Sequence, residues 1–330
     1  MSPGASDEEA VLLACSGLAQ VRGRELRPLG PKGWASLRRH AQDADLRPGD
    51  LVGLSAADLG SRLDIPAERA AQLAGLFERQ GQLTFELERL GRLGIWHTTV
   101  ESSDYAGRLL ERLGSAAPPV LFGLGKREHL DLEGLAVVGS RDAPAPVMEV
   151  ARTAGAQAAQ QGWVTVTGGA RGVDRESMRG AFEAGGTVVG VAADGLERHL
   201  RDAALRTAFT EGRATYVSPY RPDAPFSAGG AMGRNKLIYC LASVALVVHS
   251  EDGSGESWSG AIEALKAGWV PVYVHDAGAS VAGNEALIRR GGRRLKEDDL
   301  GDLPGLATVK ESVATNPDDD AQEGAQQTLF

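Results

Sequence analysis

The spacing of apolar positions along the chain changes near residue 96. Residues 8–115 are predicted to be helical, because apolar side chains recur at intervals of three and four in EEAVLLACSGLAQV, WASLRRHA, AERAAQLAGLFERQ and TFELERLGRLGI. Such intervals place apolar side chains on one face of a helix, so each segment is predicted to be an amphipathic helix. Ser55 and Pro66 are residue types that favour helix starts, the first as a cap and the second in a first turn. Residues 1–85 are therefore predicted to form a small helical domain.

From residue 135 onward, short β-rich runs alternate with helical segments. Strands are predicted at residues 135–139, 164–168, 187–192, 214–218, 244–249 and 270–274. Most are continuous apolar runs, which is typical of strands covered on both faces. The helices predicted between them cover residues 147–161, 174–184, 200–210, 234–242 and 260–267. Repetition of strand and helix predicts a mostly parallel sheet with right-handed crossovers.

The predicted fold class is therefore α/β, with a Rossmann-like, doubly wound sheet preceded by the small helical domain. Residues 86–295 form the Rossmann-like domain, of which residues 85–130 are a lead-in. The helical domain is predicted to be of the SAM or helix-hairpin-helix kind. Short helix pairs of this kind can bind a DNA backbone through a glycine turn, or they can simply pack on a neighbouring domain, and the sequence leaves both open.

The net charge of −9 is concentrated at the end of the chain. Residues 296–330 hold nine acidic and two basic residues, so they account for −7 of that charge and residues 1–295 for −2. This last segment is also poor in aromatic residues and has no periodic face, so it is predicted to be an acidic, disordered tail. The rest of the chain is nearly neutral, which leaves room for a local basic surface that binds nucleic acid.

The compartment is predicted from the cysteines and from the start of the chain. Cys15 and Cys240 lie far apart in apolar stretches, as isolated buried thiols do in reducing compartments. The opening residues lack the basic region of a secretory signal, and no stretch approaches 18 uninterrupted apolar residues. The sequence therefore predicts a cytoplasmic protein that is neither secreted nor bound to a membrane.

Candidate chemistry lies in the turns that follow the predicted strands, because ligands of doubly wound sheets bind beyond the carboxyl ends of the strands. Small residues there let backbone amides approach an anion, and arginines add charge. Glycine turns can also serve tight bends alone, but here two of them end in arginine. The predicted phosphate-binding residues of these turns are Gly139, Ser140, Arg141, Thr167, Gly168, Gly169, Arg171, Gly172, Asp174, Ser254, Gly255 and Ser257. Asp174 is expected to hold its loop and cap a helix rather than to catalyse a reaction.

A third basic element, Arg234-Asn235-Lys236, follows the glycine-rich stretch SAGGAMG and is expected to open a helix. Beside the first two turns it would extend the anion site from one phosphate to several; otherwise it neutralises nearby acids. Tyr220, Phe226 and Trp258 lie in candidate loops and could stack on bases, as aromatic residues do in proteins that bind single strands.

The order and spacing of these motifs resemble the DNA-processing DprA (Smf) family. The motifs are Gly139-Ser140-Arg141, GGARGVD, GRNKLI and SGSGESWSGAIEALKAGWVPVYV, and the upstream stretch with Asp104-Tyr105 and residues 118–121 agrees with the lead-in of that family. The likeness spans about residues 50–295. It implies binding of single-stranded DNA through the loops that carry Arg141, Arg171, Arg234 and Lys236. It also implies a homodimer and delivery of the strand to the RecA recombinase.

The chain departs from the family pattern in four places. Thr167 replaces a serine, Met178 replaces a histidine, and SAGGAMGRNK replaces the phenylalanine-proline-arginine lead into the third motif. The winged-helix-like C-terminal domain of many members is not recognisable either. These departures predict a divergent member of the family.

The leading interpretation is a protein that holds single-stranded DNA by its phosphates and assists recombinase loading in DNA uptake, recombination or repair. It is interpreted as a binding protein rather than an enzyme, because no metal spacing and no pair of nucleophile and base stands out, and no cofactor is predicted. The alternative is a nucleotide-binding sensor or hydrolase with the same fold, for example one that acts in defence, in which SGSGES and Arg171 hold one small ligand. A third interpretation is an interaction scaffold with degenerate loops.

The final residues, Gln326-Gln327-Thr328-Leu329-Phe330, resemble the short peptide by which bacterial proteins dock on the DNA polymerase sliding clamp. A glutamine can bind the polar edge of a pocket while leucine and phenylalanine fill its apolar part. Gln326, Leu329 and Phe330 are the predicted contacts, and the alternative is an ordinary frayed terminus.

Overall fold

The sheet is the organising element of the fold. A computed structural model describes residues 5–20, 26–278 and 281–308. Within these residues, nine strands form one sheet in the order β1-β2-β6-β5-β4-β3-β7-β8-β9. They span Trp96–Thr99 (β1), Val120–Gly125 (β2), Gly134–Gly139 (β3), Val164–Thr167 (β4), Val188–Val191 (β5), Ala214–Ser218 (β6), Val244–His249 (β7), Val272–His275 (β8) and Arg293–Leu295 (β9).

Several helices begin where the sequence offers a cap or a proline. Ser55 Oγ accepts a hydrogen bond from the Asp58 backbone N–H (3.1 Å) and starts the third helix, and Pro66 stands at the cap of the fourth. Both residues were predicted to start helices, but Pro66 lies at the cap and not in the first turn. The helices span Asp7–Cys15 (α1), Pro31–Asp43 (α2), Ala56–Leu63 (α3), Ala67–Phe77 (α4), Gln80–Arg92 (α5), Gly107–Leu113 (α6), Ala145–Gln160 (α7), Val173–Glu183 (α8), Ala203–Thr210 (α9), Ala228–Leu241 (α10), Gly255–Ala267 (α11), Ala282–Arg289 (α12) and Leu303–Thr308 (α13).

The sheet is mostly parallel, and the order in which the chain adds strands to it reverses once. All pairs from β6 through β9 are parallel, whereas β1, β2 and β6 are joined by antiparallel pairing. From β3 the chain builds outward through β4, β5 and β6, and then crosses back through α10 to place β7 on the other side of β3. A topological switch point therefore lies between β3 and β7, where this class of sheet binds ligands. The predicted Rossmann-like α/β fold class is confirmed.

Buried side chains cover both faces of the sheet. On one face, α6, α10 and α11 enclose a cluster that includes Val138, Val166, Val191 and Val247. On the other face, α7 packs over Leu135 and Val137, while α8 and α9 pack beside Tyr216. The buried residues of α1–α5 belong to the same cluster as Phe122 of β2. The helical region thus shares a core with one end of the sheet.

The structure corrects two predicted boundaries. The tail was expected to be disordered from Lys296, but the fold continues through a 3₁₀ turn at Glu297–Gly301 and then α13. Leu300 and Leu303 are buried there, and Gln161 accepts a hydrogen bond from the Leu303 backbone N–H (2.8 Å). The prediction of disorder rested on the acidic composition of the whole segment, which does not reveal that Leu300 and Leu303 are buried. The limit at residue 85 falls inside α5, so the chain has no break there.

Two further predictions concern the C-terminal peptide and membrane-spanning helices. The clamp-like residues Gln326, Leu329 and Phe330 lie outside the described residues. Among the described residues, no helix has the length and apolarity needed to cross a lipid bilayer.

Candidate functional site

A polar cavity of about 320 Å³ lies at the switch point between β3 and β7. The turn after β3, the loop that leads into α8, α10, the turn after β7 and the first residues of α11 line it. Nine of the predicted phosphate-binding residues line it: Gly139, Ser140, Arg141, Asp174, Arg234, Asn235, Ser254, Gly255 and Ser257. We call it the switch-point cavity. These residues belong to four separate motifs of the sequence, and the fold brings them together.

Glycine is required where the first two loops touch. Gly172 has φ +84°, and a Cβ atom there would lie 2.5 Å from the Arg141 carbonyl oxygen and 2.6 Å from that of Ser140. The Val173 N–H donates to the Ser140 carbonyl (3.3 Å), so the start of α8 is fastened to the turn after β3. A side chain at residue 172 would push these segments apart. The predicted Gly172 therefore allows the two loops to approach each other closely, but it does not line the cavity.

The two predicted rim arginines are held by carboxylates. Arg141 Nη2 lies 3.0 Å from Glu256 Oε1, and Arg171 Nη2 lies 2.9 Å from Asp142 Oδ1. The Arg171 side chain is 67% exposed, and that of Arg141 is 43% exposed. Exposed ion pairs of this kind are weak, of order 0–1 kcal/mol. An incoming phosphate can therefore replace either carboxylate as the partner of the guanidinium.

Arg234 supplies a charge beneath the rim. Its side chain is buried, Nη2 donates to the Gly168 carbonyl (3.4 Å), and Nε has no hydrogen-bond partner in the described part of the chain. Burial lowers the pKa of Arg234, and the nearby Asp174 carboxylate opposes that shift. A buried guanidinium with unused hydrogen-bonding capacity beside a polar cavity is suited to hold an anion there.

Asp174 holds the second loop, as the sequence predicted. Its carboxylate accepts a hydrogen bond from the Ala170 backbone N–H (3.1 Å) at the start of α8. Burial raises the pKa of Asp174 to about 6, although Arg234 and the Ala170 N–H act to lower it. The carboxylate thus holds the loop, and the favourable interactions with Arg234 and the Ala170 N–H offset only part of the cost of burying its charge.

The start of α11 faces the cavity without a side-chain cap. Ser254 stands at the cap position, but its hydroxyl donates to Glu251 Oε2 (3.1 Å) and does not accept from the first turn. Gly255 and Ser257 follow on the cavity wall. The N-terminal amides of a helix attract anions, so this arrangement adds a second, backbone-based source of positive potential.

The third motif is only partly at the site. The expected helix start at Arg234 is wrong, because α10 begins at Ala228, where Ser227 Oγ accepts from the Gly230 N–H (3.0 Å). Residues 234 and 236 therefore lie within a continuous helix and point in different directions. Asn235 donates to the Glu256 carbonyl (2.9 Å) and ties α10 to α11. Lys236 Nζ instead contacts the Ala116 carbonyl (3.4 Å), so it does not extend the cavity as predicted.

The sequence of residues 96–300 matches the profile of the DNA recombination-mediator protein A family. The chain belongs to this family.

One relative is similar to this chain in sequence, and two solved structures are similar to it in fold. A candidate DNA processing protein DprA from Mycobacterium tuberculosis is 27% identical over 297 residues, covering 83% of this chain and 75% of the relative. The fold is similar to that of DNA processing protein A from Streptococcus pneumoniae, with a TM-score of 0.69 and 19% identity over 90% of this chain and 98% of the other. The Helicobacter pylori protein, whose single-stranded DNA binding mode has been described structurally, matches 60% of this chain and 90% of its own with a TM-score of 0.50 and 23% identity.

Three of the remaining predicted residues border a second depression. Gly168, Gly169 and Arg171 line a groove of about 1140 Å³ that runs along α8 beside the switch-point cavity. We call it the α8 groove. Four of its arginines were not predicted, namely Arg175, Arg179, Arg198 and Arg213. The first two could have been found, because residues 171, 175 and 179 recur at the four-residue spacing of a helix face. Thr167 is buried at the end of β4 and lines neither depression.

The three candidate stacking residues differ in their exposure and in their contacts. Trp258 is buried in the core, with the Arg290 guanidinium 4.9 Å from its ring centroid. Tyr220 donates its hydroxyl to the Gly230 carbonyl (2.7 Å) and supports the start of α10. Phe226 is 48% exposed and lines the α8 groove. Of these three rings, Phe226 is the one available to a ligand.

Proposed function

We propose that this protein binds single-stranded DNA and holds a backbone phosphate in the switch-point cavity. The observation that carries the proposal is the convergence of Arg141, buried Arg234 and the uncapped start of α11 on one polar cavity. Arg171 stands beside it at the rim. Membership of the DNA recombination-mediator protein A family and the DNA-binding relative in Helicobacter pylori support nucleic acid as the ligand.

The direct test is fluorescence anisotropy of a labelled single strand at several salt concentrations. Removing one phosphate contact should flatten the log-log salt dependence by about 0.7. We expect this change for Arg141→Ala and Arg171→Ala. Arg92→Ala is the matched control, because Arg92 is an exposed arginine on α5 that lines neither the cavity nor the groove. Equal slopes for wild type and both site variants would refute the proposal.

A second candidate ligand is a single nucleotide or nucleotide-derived signal. A cavity of about 320 Å³ is within the size range of small-molecule sites, at its lower end. The same titration separates the two ligands. Full displacement of the strand by a mononucleotide, together with affinity that does not depend on strand length, would favour the nucleotide sensor or hydrolase.

The wider role proposed is the one that the family resemblance implies. In it, a homodimer in the cytoplasm delivers the bound strand to the RecA recombinase. Recombinase loading is tested by whether wild-type protein, but not Arg141→Ala, speeds RecA filament assembly on coated single strands. Docking on the sliding clamp through Gln326, Leu329 and Phe330 is tested by deleting residues 326–330, which should abolish clamp binding and leave DNA binding unchanged.

A further inference from the structure

The α8 groove is continuous with the switch-point cavity but differs from it chemically. Arg141, Ala170 and Arg234 line both depressions, so a ligand in one reaches the other without leaving the protein surface. The groove is also much larger, about 1140 Å³ against about 320 Å³ for the cavity. An occupant of the groove is therefore larger than a single phosphate group.

The wall of the groove is apolar and its rim is rich in arginine. Met178 and Phe182 of α8, Leu205 of α9 and exposed Phe226 supply apolar surface. Seven arginines and four acidic residues line the same groove. Such a surface suits a ligand that carries both anionic groups and flat apolar groups.

Most arginines that line the groove are paired with a carboxylate, whereas the exposed Arg175 is not. Arg179 pairs with Glu183 (2.9 Å), and Arg198 pairs with Asp194 (2.5 Å). Arg175 is exposed and has no carboxylate within ion-pair distance among the described residues. It lies one helical turn before Arg179, about 6 Å along the axis of α8. Arg175 is thus a cation with an open position for a phosphate.

Resting on the function proposed above, we infer that the α8 groove carries the continuation of the bound strand. One phosphate lies in the switch-point cavity, the next phosphates pass Arg171 and Arg175, and bases contact the apolar wall at Phe226. Single strands are bound in this way elsewhere, by cations along the backbone and aromatic rings against the bases. The strand therefore leaves the cavity towards α8 and α9, not towards β8 and β9.

The experiment compares a dinucleotide, whose single internucleotide phosphate can occupy only the cavity, with an oligonucleotide of about 16 nucleotides, the upper end of single-strand site sizes. For the longer strand, Arg175→Ala should flatten the salt dependence by about 0.7. Phe226→Ala should weaken binding at least about fivefold, the lower value for a lost base-aromatic stack. The shorter strand should bind both variants like wild type. An abasic version of the longer strand should bind Phe226→Ala and wild type equally.

The controls separate failure of the groove from failure of the function. Both substituted side chains are exposed, and unchanged thermal unfolding midpoints verify that the variants fold. If Arg141→Ala weakens the longer strand while Arg175→Ala and Phe226→Ala do not, the strand leaves by another route and the groove assignment is overturned, although DNA binding stands. If wild type binds neither strand, the proposed function fails and the groove assignment with it.

Discussion

Single residues behind the loops decide whether the candidate site can form. Gly172→Ala should lower the free energy of unfolding by at least about 2 kcal/mol, because the new Cβ meets two backbone carbonyls and strains a positive φ. Gly162→Ala is the control. It also has a positive φ (+74°) but nothing within 4 Å of the added atom, so it should cost about 1 kcal/mol. Urea unfolding of both variants measures the difference, and equal losses would contradict the close contact between the loops.

Asp174 should leave a signature in the pH dependence of stability. Its pKa in the folded protein is raised by burial to about 6, above its ordinary value of 3.8. Such a carboxyl favours the folded state below pH 4, and that contribution disappears as pH rises through 6. Asp174→Asn removes the titration. Relative to wild type, the variant should therefore gain about 2–3 kcal/mol between pH 4 and pH 7.

The measurement for Asp174 is urea unfolding of both proteins across this pH range. Taking the difference between variant and wild type cancels every other titrating group. A difference that stays constant with pH would show that Asp174 ionises in the folded protein as it does in water.

At the scale of elements, α13 should contribute to stability despite its acidic surroundings. Leu303 is fully buried against the cluster over α7, so Leu303→Ala should cost about 2–5 kcal/mol. Asp298→Ala, an exposed substitution in the preceding turn, should change stability by less than about 0.5 kcal/mol. Chemical unfolding compares them. A negligible effect of the leucine change would restore the original prediction of a disordered segment from residue 296.

The strands of the central sheet could be predicted because burial on both faces leaves continuous apolar runs in the sequence. Strands β1, β2 and β9 could not be predicted in this way. β9 is a three-residue edge strand, β1 is a four-residue one, and β2 is fixed by antiparallel pairing with β6, which is distant in sequence. The start of α10 was missed because its first turns contain Gly229, Gly230 and Gly233, which disfavour helix in isolation.

The same limits apply to the site. Arg141 and Arg171 were predictable because each directly follows a strand and its glycine turn. Lys236 was misplaced because the direction of a side chain on a helix depends on where the helix begins. Arg175 was overlooked although its spacing was visible, because only the fold shows that this face of α8 borders a groove.

At the scale of the whole molecule, the helices before residue 96 should unfold together with the sheet. They share a hydrophobic cluster with β2, and Arg89 of α5 lies 2.8 Å from Glu197, which follows β5. Calorimetry should give one transition with matching calorimetric and van't Hoff enthalpies. Leu73→Ala, a fully buried change in α4, should lower the midpoint of that transition without splitting it. Two separate transitions would mean that the helical region is an independent domain.

The central claim is that a single strand lies across the carboxyl edge of the sheet at the switch point. Photo-crosslinking of a bromodeoxyuridine-substituted single strand to the full chain, followed by peptide mapping, tests this most directly. We expect crosslinks in the peptides that contain residues 139–142, 168–175 and 254–258, and their loss when an unlabelled strand competes. Crosslinks confined to α1–α5 or to β8 and β9 would contradict the account.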